Sequence, residues 1–156
     1  MDSPRSTVRT SPARGVGVLA AGVVLALWIV AGRFLFGIGG ELTLAYLLIG
    51  VVIVILHASI SRAVARVSER GFELRPSTRG TIIAAWGCGA LLGLTIPDLT
   101  PDGLQTILTG ASQPWLEVAI GVANPAGILT IAFTIIALVL ASQDARGPRI
   151  HEDDLL

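Results

Sequence analysis

Two polar features fall inside apolar stretches of this 156-residue sequence, and each could support chemistry within a membrane. The first is His57, which follows a run of Leu, Ile and Val and could accept and release a proton. Proton relays need partners at depth, and every carboxylate of the sequence lies outside the apolar runs. We therefore expect His57 to be an interfacial histidine that makes a local hydrogen bond.

The second feature is the pair Asn124-Pro125, which interrupts the last apolar run about 14 Å beyond Trp115, at 1.5 Å per residue. A helix broken at that depth can present carbonyl groups to an ion or substrate, as in some transporters. The alternative is a proline kink whose freed carbonyl is satisfied by the neighbouring Asn or by another helix. The kink is favoured, because no second broken helix accompanies it.

A third pattern consists of small residues at helical spacing: Ala85, Gly89 and Gly93 lie four residues apart. Such residues share one helix face and let another backbone approach closely. The face could bind a partner subunit or a second copy, or it could pack inside the chain, with Gly22 and Ala26 as the opposing surface. Internal packing is the favoured interpretation.

Charged residues cluster outside the apolar runs. Arg33 and Glu41 flank a glycine-rich turn and could pair across it, although an Arg at the end of a span more often snorkels to the interface. Together with Asp98, Asp102 and Glu117, they could line an outer vestibule. Elsewhere a stripe of arginines shares one helix face and could bind anionic headgroups or simply fix the topology: Arg62, Arg66 and Arg70.

Catalytic and metal-binding signatures are missing from the sequence. There is no H-E-x-x-H, no G-x-S-x-G and no glycine-rich phosphate loop. The two histidines and the single cysteine, Cys88, are too far apart to suggest a zinc site. We predict a protein that is not an enzyme, with no cofactor, no metal and no nucleic-acid partner.

The elements that carry these residues follow from composition. The chain is 53% hydrophobic and only 14% charged, with a mean hydropathy of +0.76, and its apolar residues fall in long blocks. A span of about 20 apolar residues crosses a bilayer. We predict an all-α, four-helix transmembrane bundle with spans near 16–36, 42–60, 80–96 and 115–141, and a short interfacial helix over 100–109.

The polar ends and the arginines define the predicted orientation. Residues 1–14 are expected to form a disordered tail and 142–156 an acidic one, and the first span is expected to stay uncleaved. Ten of the eleven arginines fall in the two tails and the loop between spans two and three, and no lysine occurs. The positive-inside rule then places both termini in the cytoplasm, with the spans in the plasma membrane. The Arg-rich, Lys-free composition hints at a bacterial source.

The sequence favours a function without chemistry of its own. Small soluble parts, a small-residue helix face and the expected lack of buried charge are typical of an accessory or scaffold subunit of a membrane complex. The alternative is a small oligomeric transporter or channel that uses the Asn124-Pro125 break. Its partners would be the lipid bilayer and either another membrane subunit or a second copy.

Overall fold

Four long helices dominate residues 13–147, the part of the chain that the computed structural model describes. The predicted tail residues 1–12 and 148–156 lie outside the described range. The first helix continues as a 3-10 turn over Gly32–Phe36. The helices are α1 (Ala13–Ala31), α2 (Thr43–Glu69), α3 (Pro76–Thr95) and α4 (Trp115–Asp144).

Three of these helical segments are long and apolar enough to cross a membrane: Arg14–Phe36, Thr43–Glu69 and Trp115–Asp144. Helix α3 has 20 residues, about 30 Å at 1.5 Å per residue, but its first turn is polar and four of its residues are glycine. The mainly helical architecture predicted from the apolar blocks is therefore confirmed. The segments indicate a membrane protein.

The third helix begins earlier than the sequence predicted. The predicted span began near residue 80, whereas Pro76 is the first residue of α3. Proline suits that position because its fixed φ fits a helix and its missing N–H would have no intrahelical partner there. The second helix ends near Gly71, which has a φ of +72° and so adopts the left-handed conformation expected of a helix-terminating glycine.

The predicted interfacial helix over 100–109 is wrong: this segment is largely a β-hairpin. Strand β1 (Asp98–Thr100) pairs antiparallel with β2 (Gly103–Gln105), in the register Asp98 with Gln105 and Thr100 with Gly103. Pro101 and Asp102 form the connecting turn, and Gly103 has a φ of +102°, which no α-helix accommodates. The Pro-Asp-Gly sequence is a turn signal that outweighs the helical spacing of the nearby leucines.

The packing of the helices places two apolar layers one above the other. Helix α1 packs against α2 and α3, and α4 packs against the same two helices. One layer lies towards the hairpin and includes Ile29, Ile53 and Leu92, while the other includes Val64 and Ala137. The indole of Trp86 packs against both layers, so it lies between them.

The small-residue face of α3 packs against α1 within the same chain. Ala85, Gly89 and Gly93 are all buried. A methyl group added at Gly89 would meet the side chain of Leu25, and one added at Gly93 would meet the indole of Trp28. That indole also donates a hydrogen bond to the Ala90 carbonyl, at 3.1 Å. These contacts favour the internal-packing interpretation of the stripe.

Replacing Gly93 by Ala should therefore destabilise the fold. The new methyl group would press on the rigid Trp28 ring, at a cost of about 1–3 kcal/mol. Gly87→Ala is the matched control on the same helix, because a methyl group there meets nothing within 4 Å. That control should be neutral or gain up to about 1 kcal/mol from helix propensity. Unfolding of both variants in mixed micelles can be monitored by circular dichroism. Equal stabilities of the two variants would contradict the close packing of Gly93 against Trp28.

Candidate functional site

A completely buried ion pair joins the first helical hairpin to the β-hairpin. Arg33 Nη1 lies 3.2 Å from Asp98 Oδ2, and both side chains have no exposed surface. The Arg33 guanidinium also lies over the Tyr46 ring, 4.1 Å from its centroid. A charge removed from water needs such compensation, because an unpaired buried charge is very costly.

The Asp98 carboxylate also binds the turn between α1 and α2. It accepts hydrogen bonds from the backbone N–H groups of Gly40 at 2.8 Å, Leu42 at 2.9 Å and Leu99 at 2.8 Å. Gly40 is required here for space, since a methyl group on it would collide with the Leu99 backbone. The turn glycines thus differ in role: Gly37 adopts a φ of +71°, whereas Gly40 permits close approach of the β-hairpin.

The end of α3 completes this polar cluster. The Pro97 carbonyl accepts a hydrogen bond from the Tyr46 hydroxyl at 2.6 Å and one from Arg33 Nη1 at 3.5 Å. Arg33 Nη2 donates to the Val30 carbonyl at 3.2 Å, while Arg33 Nε has no hydrogen-bond partner within the described range. Arg33, Tyr46, Pro97 and Asp98 form what we call the outer clamp.

The outer clamp replaces two arrangements that the sequence suggested. Arg33 does not snorkel and does not pair with Glu41, which is exposed; its partner is Asp98. Asp102 and Glu117 are exposed as well, so the acids are not gathered into one vestibule around Arg33. The tertiary fold brings Arg33 and Asp98 together. Because the two residues are far apart in the sequence, no local pattern could predict that they pair.

His57 is buried between the helices. Only 1% of it is exposed, and it packs against Gly22, where an added methyl group would collide with the imidazole. The Trp86 indole N–H can only donate, so at 3.1 Å it requires His57 Nε2 to accept. The proton then resides on Nδ1, which donates to the Ile53 carbonyl at 2.9 Å. The predicted local hydrogen bond exists, and both ring nitrogens are occupied.

A second polar cluster, which sequence reasoning missed, holds the opposite end of the helices together. Asp144 Oδ2 accepts hydrogen bonds from the Arg75 backbone N–H at 3.1 Å and the Thr78 hydroxyl at 2.7 Å. Its Oδ1 makes an ion contact with Arg75 Nε at 3.1 Å. Asp144 therefore ties the start of α3 to the end of α4, and its negative charge suits the helix dipole at that position. The sequence showed only an acid after a long apolar run.

The arginine stripe lies where helical spacing predicts it. Arg62, Arg66 and Arg70 are exposed on α2. Arg70 Nη1 donates to the Ala145 carbonyl at 2.6 Å, which ties the end of α2 to the end of α4. The other face of the same turns is buried and apolar: Ile60, Val64 and Val67.

Asn124 and Pro125 lie on an exposed face of α4, which continues through them as one helix from Trp115 to Asp144. Asn124 lines an apolar groove of about 920 Å³ between α2 and α4. On α2 the groove is bounded by Leu48 and Val52, and its floor is formed by Leu92 and Ile96 of α3. Within residues 13–147, no side-chain hydrogen bond to Asn124 is present, in contrast to Thr130 and Thr134 on the same helix.

Among residues 13–147, no three His, Cys, Asp or Glu side chains are grouped so that they could hold a metal ion. No family model, curated protein or solved structure matches the chain. The groove presents the Asn124 amide with no side-chain hydrogen bond from residues 13–147.

Removing one charge of the outer clamp should destabilise the protein strongly. Arg33→Leu leaves Asp98 buried without its counter-charge, and we expect a loss of about 3–5 kcal/mol in the free energy of unfolding. Glu41→Gln is the control, because that side chain is exposed and should change stability by less than about 0.5 kcal/mol. Denaturation in detergent micelles measures both variants. A large loss in Glu41→Gln with a small one in Arg33→Leu would contradict the ion pair.

Proposed function

We propose that the chain crosses the plasma membrane four times, with both termini in the cytoplasm, as a non-catalytic accessory or scaffold subunit of a membrane complex. The proposal extends the three apolar segments to α3, which packs beside them and has the length of a bilayer crossing. Its glycines make it less apolar, and two of them, Gly89 and Gly93, are buried against α1.

The contacts at the helix ends support this topology. The Ser61 hydroxyl donates to the Gly15 carbonyl at 2.7 Å, and Arg75 meets Asp144, so the start of α1, the end of α2, the start of α3 and the end of α4 lie together. This end carries most of the described arginines: Arg14, Arg62, Arg66, Arg70, Arg75, Arg79 and Arg146. The outer clamp lies at the other end, where the positive charge of Arg33 is neutralised. Such asymmetry favours cytoplasmic termini.

The groove between α2 and α4 carries the functional proposal. The two large polar side chains buried between the helices have partners: Arg33 pairs with Asp98, and His57 bonds Ile53 and Trp86. Asn124 instead turns an amide towards an apolar groove, where lipid tails offer no hydrogen bond. A polar group at a membrane helix surface is characteristic of helix–helix association. A protein partner in the groove would satisfy it.

The transporter alternative receives less support. It requires a broken helix, whereas α4 is continuous through Pro125. It also requires polar groups open to a passage, whereas the outer clamp and His57 are enclosed by packed side chains. A subunit that binds through its lipid-facing surface needs neither feature.

Affinity purification of the full-length tagged chain in a mild detergent tests the subunit proposal. We expect a native mass larger than one chain plus its detergent, with further polypeptides or further copies of this chain. The mass is best measured by native mass spectrometry and by light scattering. A monodisperse single chain without any protein partner, in detergent and in nanodiscs alike, would contradict the proposal.

Reporter fusions test the topology independently. A fluorescent protein fused after Leu156 should fold and fluoresce, because that end is expected in the cytoplasm. A fusion after Gly110, in the loop between α3 and α4, should stay dark and should instead activate an exported phosphatase. The opposite pattern would reverse the orientation, and an active phosphatase at both sites would mean that α4 does not cross the membrane.

A further inference from the structure

We propose that the occupant of the groove is a second copy of this chain, bound as a parallel two-fold dimer along α4 with the two Asn124 amides paired. The inference rests on the proposed membrane topology and deepens the subunit proposal by naming the partner. The exposed face of α4 that borders the groove carries two polar groups that support this dimer.

The first polar group is the Asn124 side chain. An amide has both donor and acceptor capacity, so two amides related by two-fold symmetry can exchange two hydrogen bonds. On α1 after Arg14, and on α2 between its ends, the exposed side chains are apolar, as at Leu27, Leu48 and Val52. The exposed amide of Gln143 lies at the end of α4, so Asn124 is the one exposed amide away from the ends of the described helices, and it selects the α4 face.

The second polar group is the backbone carbonyl of Gly121. Proline has no N–H, so Pro125 cannot supply the usual hydrogen bond to the carbonyl four residues earlier, which is that of Gly121. Gly121 is exposed, and the space where a side chain would lie is open, with no atom within 4 Å. A neighbouring helix can approach closely at this turn, which brings an external donor within reach of the carbonyl.

The spacing of the face fits a helix dimer. Five residues follow alternating steps of three and four, the spacing of a left-handed helix seam: Gly121, Asn124, Ile128, Ile131 and Ile135. The last four of them line the groove. A single Asn in an otherwise apolar seam is a known determinant of register and of the two-stranded state.

Symmetry explains why the partner should be the same chain. Two copies inserted with the same orientation can form a closed dimer only about an axis along the membrane normal. In such a parallel arrangement each seam residue meets its own counterpart, so Asn124 meets Asn124 without any second polar residue being required. A different partner would need a polar group of its own at this depth, and a lipid tail has none.

Cysteine cross-linking in native membranes tests the dimer. In a Cys88→Ala background, Asn124→Cys and Ile128→Cys should form disulfide-linked dimers on mild oxidation, because seam positions bring Cα atoms within about 7 Å. Leu129→Cys is exposed on the same helix but off the seam. Leu27→Cys is exposed on α1, nine residues before the end of the 3-10 turn at Phe36, just as Asn124 lies nine residues after Trp115. Both controls should stay monomeric. Linkage at the controls equal to that at 124 would overturn the proposal.

The amide itself is tested by association measurements in micelles. Asn124→Leu keeps the apolar seam but removes the hydrogen bonds, and it should raise the dimer dissociation constant by about 3- to 30-fold. Asn124→Gln keeps the amide and should retain most of the affinity. An unchanged dissociation constant in Asn124→Leu would overturn the amide pairing.

The outcomes separate this inference from the subunit proposal. If Asn124→Cys links to a different polypeptide, the self-pairing is overturned while the subunit proposal stands. If no protein adduct forms and the native mass is that of one chain carrying lipid, both are overturned.

Discussion

The fold depends above all on how it accommodates one guanidinium group away from water. Arg33 ends the first helical segment with a side chain that is fully buried, so its charge must be met within the protein. Asp98 meets it, and the same carboxylate accepts the N–H groups of the turn that leads into α2. One interaction thereby fixes the α1–α2 turn, the end of α3 and the β-hairpin relative to one another.

The helices could be predicted from the sequence because burial in lipid requires long apolar blocks, and these are visible without any tertiary information. The errors fall where local chemistry competes with that pattern. Over 100–109 the leucine spacing suggested a helix, but Pro101, Asp102 and Gly103 form a turn, and Gly103 has a backbone conformation closed to helices. The start of α3 was missed because Pro76 terminates some elements and initiates others.

The polar clusters could be predicted only in part, because they depend on which residues the fold brings together. The exposed arginine stripe and the buried small-residue face needed only helical periodicity. The opposing residues did not follow from it: Gly22, expected opposite the small-residue face, packs against His57 of α2. The partner of Arg33 required knowing that residue 98 returns beside residue 33, and local spacing favoured Glu41 instead. The burial of His57 likewise depends on Trp86, a residue of another helix. An apolar run shows which residues of one helix cross the membrane, but it does not show which residues of other helices they contact.

The carboxylate of Asp144 bonds residues that are synthesised long before it. The first turn of α3 relies on an acceptor that is synthesised 66 residues after Thr78. A chain that terminates before residue 144 therefore lacks the acceptor of the Arg75 N–H and of the Thr78 hydroxyl, and the start of its α3 has no link to the end of α4.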